Sequence, residues 1–175
     1  KDAFKIEKTI FKGKTDFQDV FIFESRGFGK MLALDGIIQF SQSDEFIYHE
    51  IIAHVPLCSH PNPKKFLVVG GGDGGVLREA SKHPLTEMQH VEIDSKVVDL
   101  CKKYLPFVSK GVFSDKRLTI NFEDGNAVIS RYPKYFDVIV IDSTDPVGPG
   151  KVLFSQPFYQ KVFDSLTDDG IAIFQ

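Results

Sequence analysis

Acidic residues stand at the ends of successive strands that the sequence predicts after residue 64. They are, in chain order, Asp73, Glu92, Asp94, Asp124, Asp142 and Asp145. No lysine or arginine lies among these strand-end residues. In an open parallel sheet the ligand binds beyond the carboxyl ends of the strands, so we expect these side chains to surround one cleft. Helix capping explains one or two of them singly but not all six together. The pattern therefore predicts a site for cations.

A glycine-rich turn follows the first of these strands. Gly70, Gly72 and Gly75 match the spacing of a dinucleotide fingerprint, and Glu92 lies at the distance expected of a ribose ligand. Asp73 sits where a pyrophosphate would approach the helix, and a carboxylate there repels phosphate. The turn therefore favours a positively charged nucleoside without phosphates, such as an S-adenosyl compound. Asp73 also disfavours the carboxylate of S-adenosylmethionine and suits the amine of its decarboxylated form.

Asp142 and Asp145 are three residues apart on a loop that enters the predicted cleft. Their charge predicts a second, cationic substrate. A site for Mg²⁺ or Ca²⁺ is the competing interpretation, because hard cations prefer oxygen ligands. The loop does not match an EF-hand, and no phosphate site calls for Mg²⁺. A polyamine is therefore preferred to a metal, and no metal is predicted.

The histidines and cysteines do not predict another chemistry. His49 and His54 nearly match a zinc-protease motif, but a separation of five residues places them about 140° apart around a helix. One of them is expected to be exposed or to pack on the sheet. Cys58 and Cys101 have neither metal nor redox spacing. They are interpreted as reduced cytosolic thiols, and the expected location is the cytoplasm.

Two kinds of pattern divide the chain into the elements that position these residues. Residues 1–43 predict an antiparallel β unit, with strands at 4–11, 19–24, 30–34 and 37–40 and Asp35-Gly36 as a hairpin turn. Residues 44–175 predict an α/β domain. Ser43 or Asp44 is expected to cap its first helix, which runs to about residue 57 with Phe46, Ile47, Ile51 and Val55 on its apolar side.

Strands and helices then alternate after a break at 60–63. The predicted strands are 66–70, 89–93, 118–122, 137–141 and 170–175, and the predicted helices are 74–83, 95–105, a short one after Asp124, and 155–166. This alternation predicts a parallel sheet covered on both faces. Such a sheet usually continues, so the chain is expected to be truncated at its carboxyl end.

Composition excludes several classes of function. The chain has 175 residues, of which 42% are hydrophobic and 26% charged, with a net charge of −3. That charge gives no electrostatic case for a nucleic-acid partner. No run of 18 apolar residues predicts a membrane span, and the charged start at 1–10 does not resemble a signal peptide.

Five segments together resemble the spermidine synthase family. They are Leu34-Asp35-Gly36-Ile37-Ile38-Gln39, the run from Asp44 to Glu50, the turn 70–75, Val91-Glu92-Ile93-Asp94, and the run from Asp142 to Pro146. The similarity covers nearly the whole chain in order. It implies an α/β fold, a Rossmann-like parallel sheet of the S-adenosylmethionine-methyltransferase type with a small N-terminal antiparallel β unit.

The resemblance also implies an activity and a role for each site residue. An aminopropyl group would pass from decarboxylated S-adenosylmethionine to putrescine, with Asp142 as the proton acceptor and no separate cofactor. The nucleoside substrate would contact Gln18, His49, Asp73, Glu92, Asp124 and Gly125, where Asp73 holds the amine, Glu92 the ribose, and Asp124 with Gly125 the adenine. The diamine would contact Tyr48, Asp142, Ser143, Thr144 and Asp145. Relatives have a further tyrosine beyond residue 175.

Three alternatives remain at this point. A diamine N-methyltransferase has the same fold, but such enzymes lose the acidic residue of the glycine turn. An inactive homologue could serve as a binding subunit, and a NAD oxidoreductase ranks below both. Spermine synthase departs from the Asp-Ser-Thr-Asp-Pro sequence, so Asp145 favours a diamine acceptor. The family is usually dimeric or tetrameric, and a homodimer or homotetramer is expected, without membrane or nucleic-acid partners.

Overall fold

The computed structural model describes residues 5–143 and 152–175, and it contains two β-sheets. The first sheet is antiparallel, with the strand order β1-β2-β3-β4. Its strands are β1 Ile6–Lys14, β2 Asp19–Ser25, β3 Gly29–Leu34 and β4 Ile37–Ser41. Asp35 and Gly36 both have positive φ and form the turn between β3 and β4, so the predicted hairpin is confirmed.

The second sheet is parallel, with the order β7-β6-β5-β8-β9. Its strands are β5 Lys65–Gly70, β6 Glu87–Val91, β7 Leu118–Asn121, β8 Phe136–Asp142 and β9 Leu166–Phe174. The chain order reverses between β5 and β8, which is where ligands bind in sheets of this kind. β9 begins four residues before the predicted strand, because Leu166 already pairs with Phe136. The predicted α/β fold is confirmed.

Helices cover both faces of the parallel sheet. They are α1 Glu45–Ser59, α2 Gly75–Ala80, α3 Ser95–Tyr104, α4 Pro106–Ser109, α5 Gly125–Val128 and α6 Gln156–Ser165. α2 ends three residues before the prediction, and α4 was not predicted. Alternate residues of β5 point to opposite faces, so that Phe66 and Val68 pack in one core with α1 and α2. Leu67 and Val69 pack in the other core with Phe158 of α6.

The prediction that the apolar side of α1 faces the core is wrong. Phe46, Ile47, Ile51 and Val55 are each about half exposed in the structure. The buried side instead carries Glu45 and His49 together with Ile52, Ala53 and Leu57. The physical reason is an ion pair between Glu45 and the buried guanidinium of Arg78 on α2, which turns the charged face of α1 inward. Asp44 precedes α1 but makes no side-chain capping hydrogen bond.

The antiparallel sheet packs on α3 and α4. Ile22 and Leu32 lie in one apolar cluster with Val97, Leu105 and Val108. Lys30 adds a hydrogen bond from its ammonium group to the carbonyl of Tyr104. This packing holds the β3–β4 hairpin beside the carboxyl ends of β5 and β6. The division of the chain at residues 43 and 44 stays a prediction.

Candidate active site

The glycine turn after β5 allows the backbone of β8 to approach closely. Gly70, Gly71 and Gly74 all have positive φ, which L-residues with a side chain rarely adopt. A Cβ atom on Gly70 would lie 2.0 Å from the carbonyl oxygen of Asp142. The N–H of Gly71 donates a hydrogen bond of 2.9 Å to that same oxygen. The turn therefore places Asp142 beside the start of α2.

Asp73 lies in this turn between a backbone donor and an imidazole ring. Its Oδ1 accepts a 2.6 Å hydrogen bond from the N–H of Gly75 and lies 3.4 Å from Nε2 of His49. Burial raises the pKa of Asp73, but His49 and the Gly75 N–H outweigh it and hold that pKa below its ordinary value. Asp73 is therefore a carboxylate at neutral pH.

Asp142 ends β8 and is bonded to a tyrosine. The hydroxyl of Tyr48, on α1, donates a 2.6 Å hydrogen bond to Oδ1 of Asp142. Burial and the neighbouring charge of Asp73 raise the pKa of Asp142 to about 6, although Tyr48 and His49 oppose the shift. Burial and the Asp142 carboxylate also raise the pKa of Tyr48, so that its hydroxyl stays a neutral donor. Asp142 is thus ionised at pH 7 but more basic than an ordinary aspartate.

Glu92 follows β6 and reaches the same turn. Its Oε2 lies 3.1 Å from the Cβ position of Gly72, and its Oε1 accepts a 2.9 Å hydrogen bond from the N–H of Asp94. Burial raises the pKa of Glu92 to about 7, with the charges of Asp94 and Asp142 acting in the same direction. Glu92 can therefore accept hydrogen bonds from a ligand's hydroxyl groups at the edge of the glycine turn.

Asp94 joins the antiparallel sheet to this edge. Its Oδ1 caps α3 by accepting hydrogen bonds from the N–H groups of Lys96 and Val97. Its Oδ2 accepts from the hydroxyl of Thr15 and, at 3.1 Å, from the side-chain amide of Gln18. Asp94 is thus a structural cap, whereas Gln18 lies on a loop that borders the cavity at the carboxyl ends of β5, β6 and β8.

Asp124 and Gly125 stand at the start of α5. The carboxylate of Asp124 caps this short helix through a 2.9 Å hydrogen bond from the N–H of Asn126. A Cβ atom on Gly125 would lie 2.4 Å from Cγ1 of Val69, which is why a glycine suits this position. Asp124 is exposed and lines the same cavity that Gln18 borders.

One cavity collects most of the predicted site residues. Those that line it are Gln18, Asp73, Glu92, Asp124, Gly125, Asp142 and Ser143. Tyr48 and His49 are not among its lining residues and contact Asp142 and Asp73 from α1. Thr144 and Asp145 lie outside the described residues. The roles assigned to all these residues stay predictions.

The β3–β4 hairpin adds wall residues to which no role was assigned. They are Leu32, Leu34, Asp35 and Gln39, and Phe17 joins them from the preceding loop. The signal that could have found most of them was the segment from Leu34 to Gln39, which carried part of the family resemblance. Together with the predicted residues they supply five carboxylates, and no lysine or arginine is among the described residues that line the cavity. Such a cavity attracts cations.

The two histidines of α1 have separate partners. His49 is almost fully buried and contacts Glu45 and Asp73. His54 contacts Glu79 of α2 and His83, which follows that helix. Within residues 5–143 and 152–175, no group of three His, Cys, Asp or Glu side chains is arranged to hold a metal ion. No helix of those residues is long and apolar enough to span a membrane.

Two family models together match nearly the whole chain. The one described as "Spermine/spermidine synthase domain" matches residues 45–175, and the one described as "Spermidine synthase tetramerisation domain" matches residues 2–42. Both matches agree with the resemblance that the sequence motifs indicate.

Curated proteins and solved structures point the same way. The polyamine aminopropyltransferase of Caldicellulosiruptor saccharolyticus is 52% identical over 98% of this chain and 62% of its own length. Spermidine synthase 1 of Pisum sativum is 47% identical over 99% of this chain and 52% of its own length. A spermidine synthase crystallised with the transition-state analogue AdoDATO has a TM-score of 0.94 at 44% identity, covering 98% of this chain and 59% of that one. The spermidine synthase of Thermotoga maritima has a TM-score of 0.91 at 43% identity, covering 98% and 58%. The chain thus spans between half and two thirds of the length of these relatives.

Proposed function

The chain belongs to the spermine/spermidine synthase family, and from this premise we propose that the protein transfers the aminopropyl group of decarboxylated S-adenosylmethionine to putrescine. The products are spermidine and methylthioadenosine. The observation that carries the proposal is the pair of carboxylates, Asp73 and Asp142, that line the same acidic cavity and are close enough for Asp73 to raise the pKa of Asp142. Two cationic substrates need such a pair.

The donor fits the cavity through charge and hydrogen bonding. Asp73 is ionised and binds the terminal ammonium of the aminopropyl chain. Glu92 accepts hydrogen bonds from the ribose hydroxyls, and Asp124 with Gly125 contacts the adenine at the rim. The donor is a co-substrate, and the reaction proposed here needs no separate cofactor.

The chemical step is a direct displacement. A neutral amine of putrescine attacks the aminopropyl carbon next to the sulfonium, a C–N bond forms, and the C–S electron pair leaves with methylthioadenosine. The sulfonium is already a good leaving group, so the barrier lies with the amine. An alkyl ammonium of pKa ~10.4 loses its proton at pH 7 at a cost of roughly 4.6 kcal/mol.

Asp142 is the proposed acceptor of that proton. Its pKa of about 6 makes it a stronger base than an ordinary aspartate while it remains ionised at neutral pH. The hydrogen bond from Tyr48 holds the carboxylate in position. The ammonium of putrescine passes its proton to Asp142, which frees the nitrogen lone pair for attack. Asp142 then releases that proton to solvent, and spermidine leaves with its new secondary amine protonated. Ser143, Thr144 and Asp145 are proposed to hold the rest of the diamine.

Asp73 argues against methyl transfer. In S-adenosylmethionine the amino-acid carboxylate would approach the same region, and two carboxylates repel each other there. The retained Asp73, Tyr48 and Asp142 also favour an active enzyme over an inactive binding subunit.

The assembly and the location are further parts of the proposal. The match of residues 2–42 to a tetramerisation domain supports a homotetramer or a homodimer. Cys58 and Cys101 are both free, which fits a reducing compartment, and the cytoplasm is the proposed location.

The test incubates the full-length protein with putrescine and either S-adenosylmethionine or its decarboxylated form, and mass spectrometry identifies the products. Spermidine plus methylthioadenosine, formed only from decarboxylated S-adenosylmethionine, is the expected result. Methylputrescine formed from S-adenosylmethionine would instead identify a methyltransferase. Absence of product from both donors would contradict the proposed reaction.

A further inference from the structure

A chain of buried charged groups runs from α2 to the floor of the proposed donor site. Arg78 donates two hydrogen bonds, of 2.8 and 3.0 Å, to the two carboxylate oxygens of Glu45. Glu45 Oε2 lies 2.6 Å from Nδ1 of His49, and Nε2 of His49 lies 3.4 Å from Asp73. Arg78, Glu45 and His49 are all buried. We call these four residues the relay.

The relay leaves His49 between two carboxylates. A neutral imidazole has one donor nitrogen and one acceptor nitrogen, so one of its lone pairs would face a carboxylate oxygen. Both contacts are favourable only when both nitrogens carry a hydrogen. Glu45 stays ionised because a bidentate guanidinium binds it, and Asp73 is ionised as well. The geometry thus calls for an imidazolium in the empty site.

We infer that His49 is protonated while the donor site is empty and releases that proton when the aminopropyl ammonium binds to Asp73. The inference rests on the proposed function, because it takes Asp73 as the seat of the ammonium group. Two cations then share one carboxylate, and a like charge at short range disfavours the protonated form of His49. The N–H bond that breaks is the one at Nε2, and its proton passes to solvent.

The remaining neutral tautomer fits the relay. Nδ1–H continues to donate to Glu45, so the ring keeps its orientation. The freed lone pair of Nε2 can accept a hydrogen bond from the ammonium group at Asp73. The donor thereby exchanges one cation for another without changing the net charge around Asp73.

Other groups around the ring act in known directions. Burial of the ring lowers the pKa of His49, but the carboxylates of Asp73 and Glu45, with a smaller contribution from Asp142 on β8, outweigh it and raise that pKa to about 10. Tyr48 stays neutral beside it. Gly75 abuts the ring of His49, since a Cβ atom at Gly75 would lie 2.4 Å from it. The ring of Phe40, on β4, is in a T-shaped contact with that of His49, with 6.1 Å between the ring centroids. Arg78 acts through Glu45.

Calorimetry of the full-length protein at pH 8 measures the released proton directly. Decarboxylated S-adenosylmethionine is titrated in buffers of different ionisation enthalpy, and the slope of observed enthalpy gives the protons exchanged. Methylthioadenosine is the reference ligand, because it contains the ribose and adenine but no aminopropyl group. We expect roughly one more proton released with the donor than with the reference. If the donor and methylthioadenosine both bind tightly and release the same number of protons, the inference is wrong.

Variants separate His49 from other sources of protons. His49→Gln keeps a hydrogen-bonding side chain but cannot titrate, so the excess proton should disappear while methylthioadenosine still binds. His54→Gln is the matched control on the same helix, and it should release as many protons as the wild type. An excess proton retained in His49→Gln would contradict the assignment.

A ligand-free measurement tests the starting state. Long-range ¹H–¹⁵N spectra at pH 8 should show one imidazole with both nitrogens protonated, and that signal should be missing in His49→Gln. A neutral His49 signal would overturn the inference even when the donor binds. Failure of the donor to bind at all would instead contradict the proposed function, and the spectra would still decide the charge of His49.

Discussion

Asp142 is the residue whose replacement should lower the rate of the chemical step more than it weakens ligand binding. Asp142→Asn keeps the size and the contact with Tyr48 but loses the proton acceptor. Removal of a general base typically lowers kcat by 10²- to 10⁴-fold. We expect a loss of roughly that size in spermidine formation, with methylthioadenosine affinity changed by less than about threefold.

A surface variant is the control for this change. Asp99→Asn makes the same chemical replacement on the exposed side of α3, so its kcat should match that of the wild type. Steady-state rates and equilibrium binding of methylthioadenosine measure the two effects. Near-normal turnover by Asp142→Asn would show that another group accepts the proton.

The pKa of Asp142 should also appear in the acidic limb of the pH–rate profile. Its pKa is raised to about 6, and only the ionised form accepts a proton, so activity should fall about tenfold per unit as pH drops below that value. The positive charges of the bound donor favour the ionised form of Asp142, so they move this limb to lower pH. The hydrogen bond from Tyr48 lowers the pKa of Asp142, so Tyr48→Phe should move the limb to higher pH.

The measurement is kcat/KM for putrescine at saturating donor. Saturation removes the titration of Glu92 from the profile, because its pKa of about 7 then affects only donor binding. A limb that stays in place in Tyr48→Phe would contradict the assignment of the limb to Asp142.

Among the secondary-structure elements, the turn between β5 and α2 is the one that most constrains the site. In Gly70→Ala the new Cβ would lie 2.0 Å from a backbone oxygen of β8, and the residue would keep a φ of +83°. β5 and β8 must then separate where Gly71 bonds to Asp142. Backbone strain of this kind costs about 1–3 kcal/mol, and the displaced Asp142 should lower kcat as well.

Gly27→Ala separates strain from collision. Gly27 has a φ of +84°, but no atom of residues 5–143 and 152–175 outside its chain neighbours lies within 4 Å of its Cβ position. Urea unfolding of the two variants should therefore show a larger loss of stability for Gly70→Ala, and only that variant should lose activity. Equal losses of stability in the two variants would mean that the close approach of β8 is not the reason for a glycine at position 70.

The elements also show what the sequence could predict and what it could not. The rule that ligands meet the carboxyl ends of parallel strands predicted that Asp73, Glu92 and Asp142 converge, and the structure places all three at one cavity. That rule could not predict Tyr48 and His49, which approach from α1 and were named only through the family resemblance. Their roles stay predictions, as do those of the other site residues.

The wrong face of α1 has a physical explanation. Hydrophobic periodicity assumes that apolar residues are buried, and Phe46 and Ile51 followed that assumption. The buried face instead holds Glu45, because Arg78 from α2 supplies the opposite charge and the geometry to satisfy it. A partner that is 33 residues away in the chain is not visible to a local pattern.

For the whole molecule, the buried histidine of β6 should make stability sensitive to acid. His90 is fully buried and donates from Nε2 to the carbonyl of Gly70 at 2.9 Å. Among the residues that the structure describes, its Nδ1 has no hydrogen-bond partner. Burial lowers the pKa of His90 to about 4, whereas the unfolded chain titrates near 6.5. The unfolded state therefore binds more protons between these values.

The sign of the effect follows from that difference. The contribution of neutral His90 is fully present above about pH 6.5 and is lost as pH falls toward 4, by about 3 kcal/mol in total. His90→Leu removes the titrating group, so its free energy of unfolding should decrease less between pH 7 and pH 4.5 than that of the wild type. The comparison must be of slopes, because Leu also removes the bond to Gly70 and so shifts stability at every pH. If the free energy of unfolding in urea falls equally with pH in the two proteins, His90 takes up its proton without unfolding the chain, and other titrating groups account for the acid sensitivity.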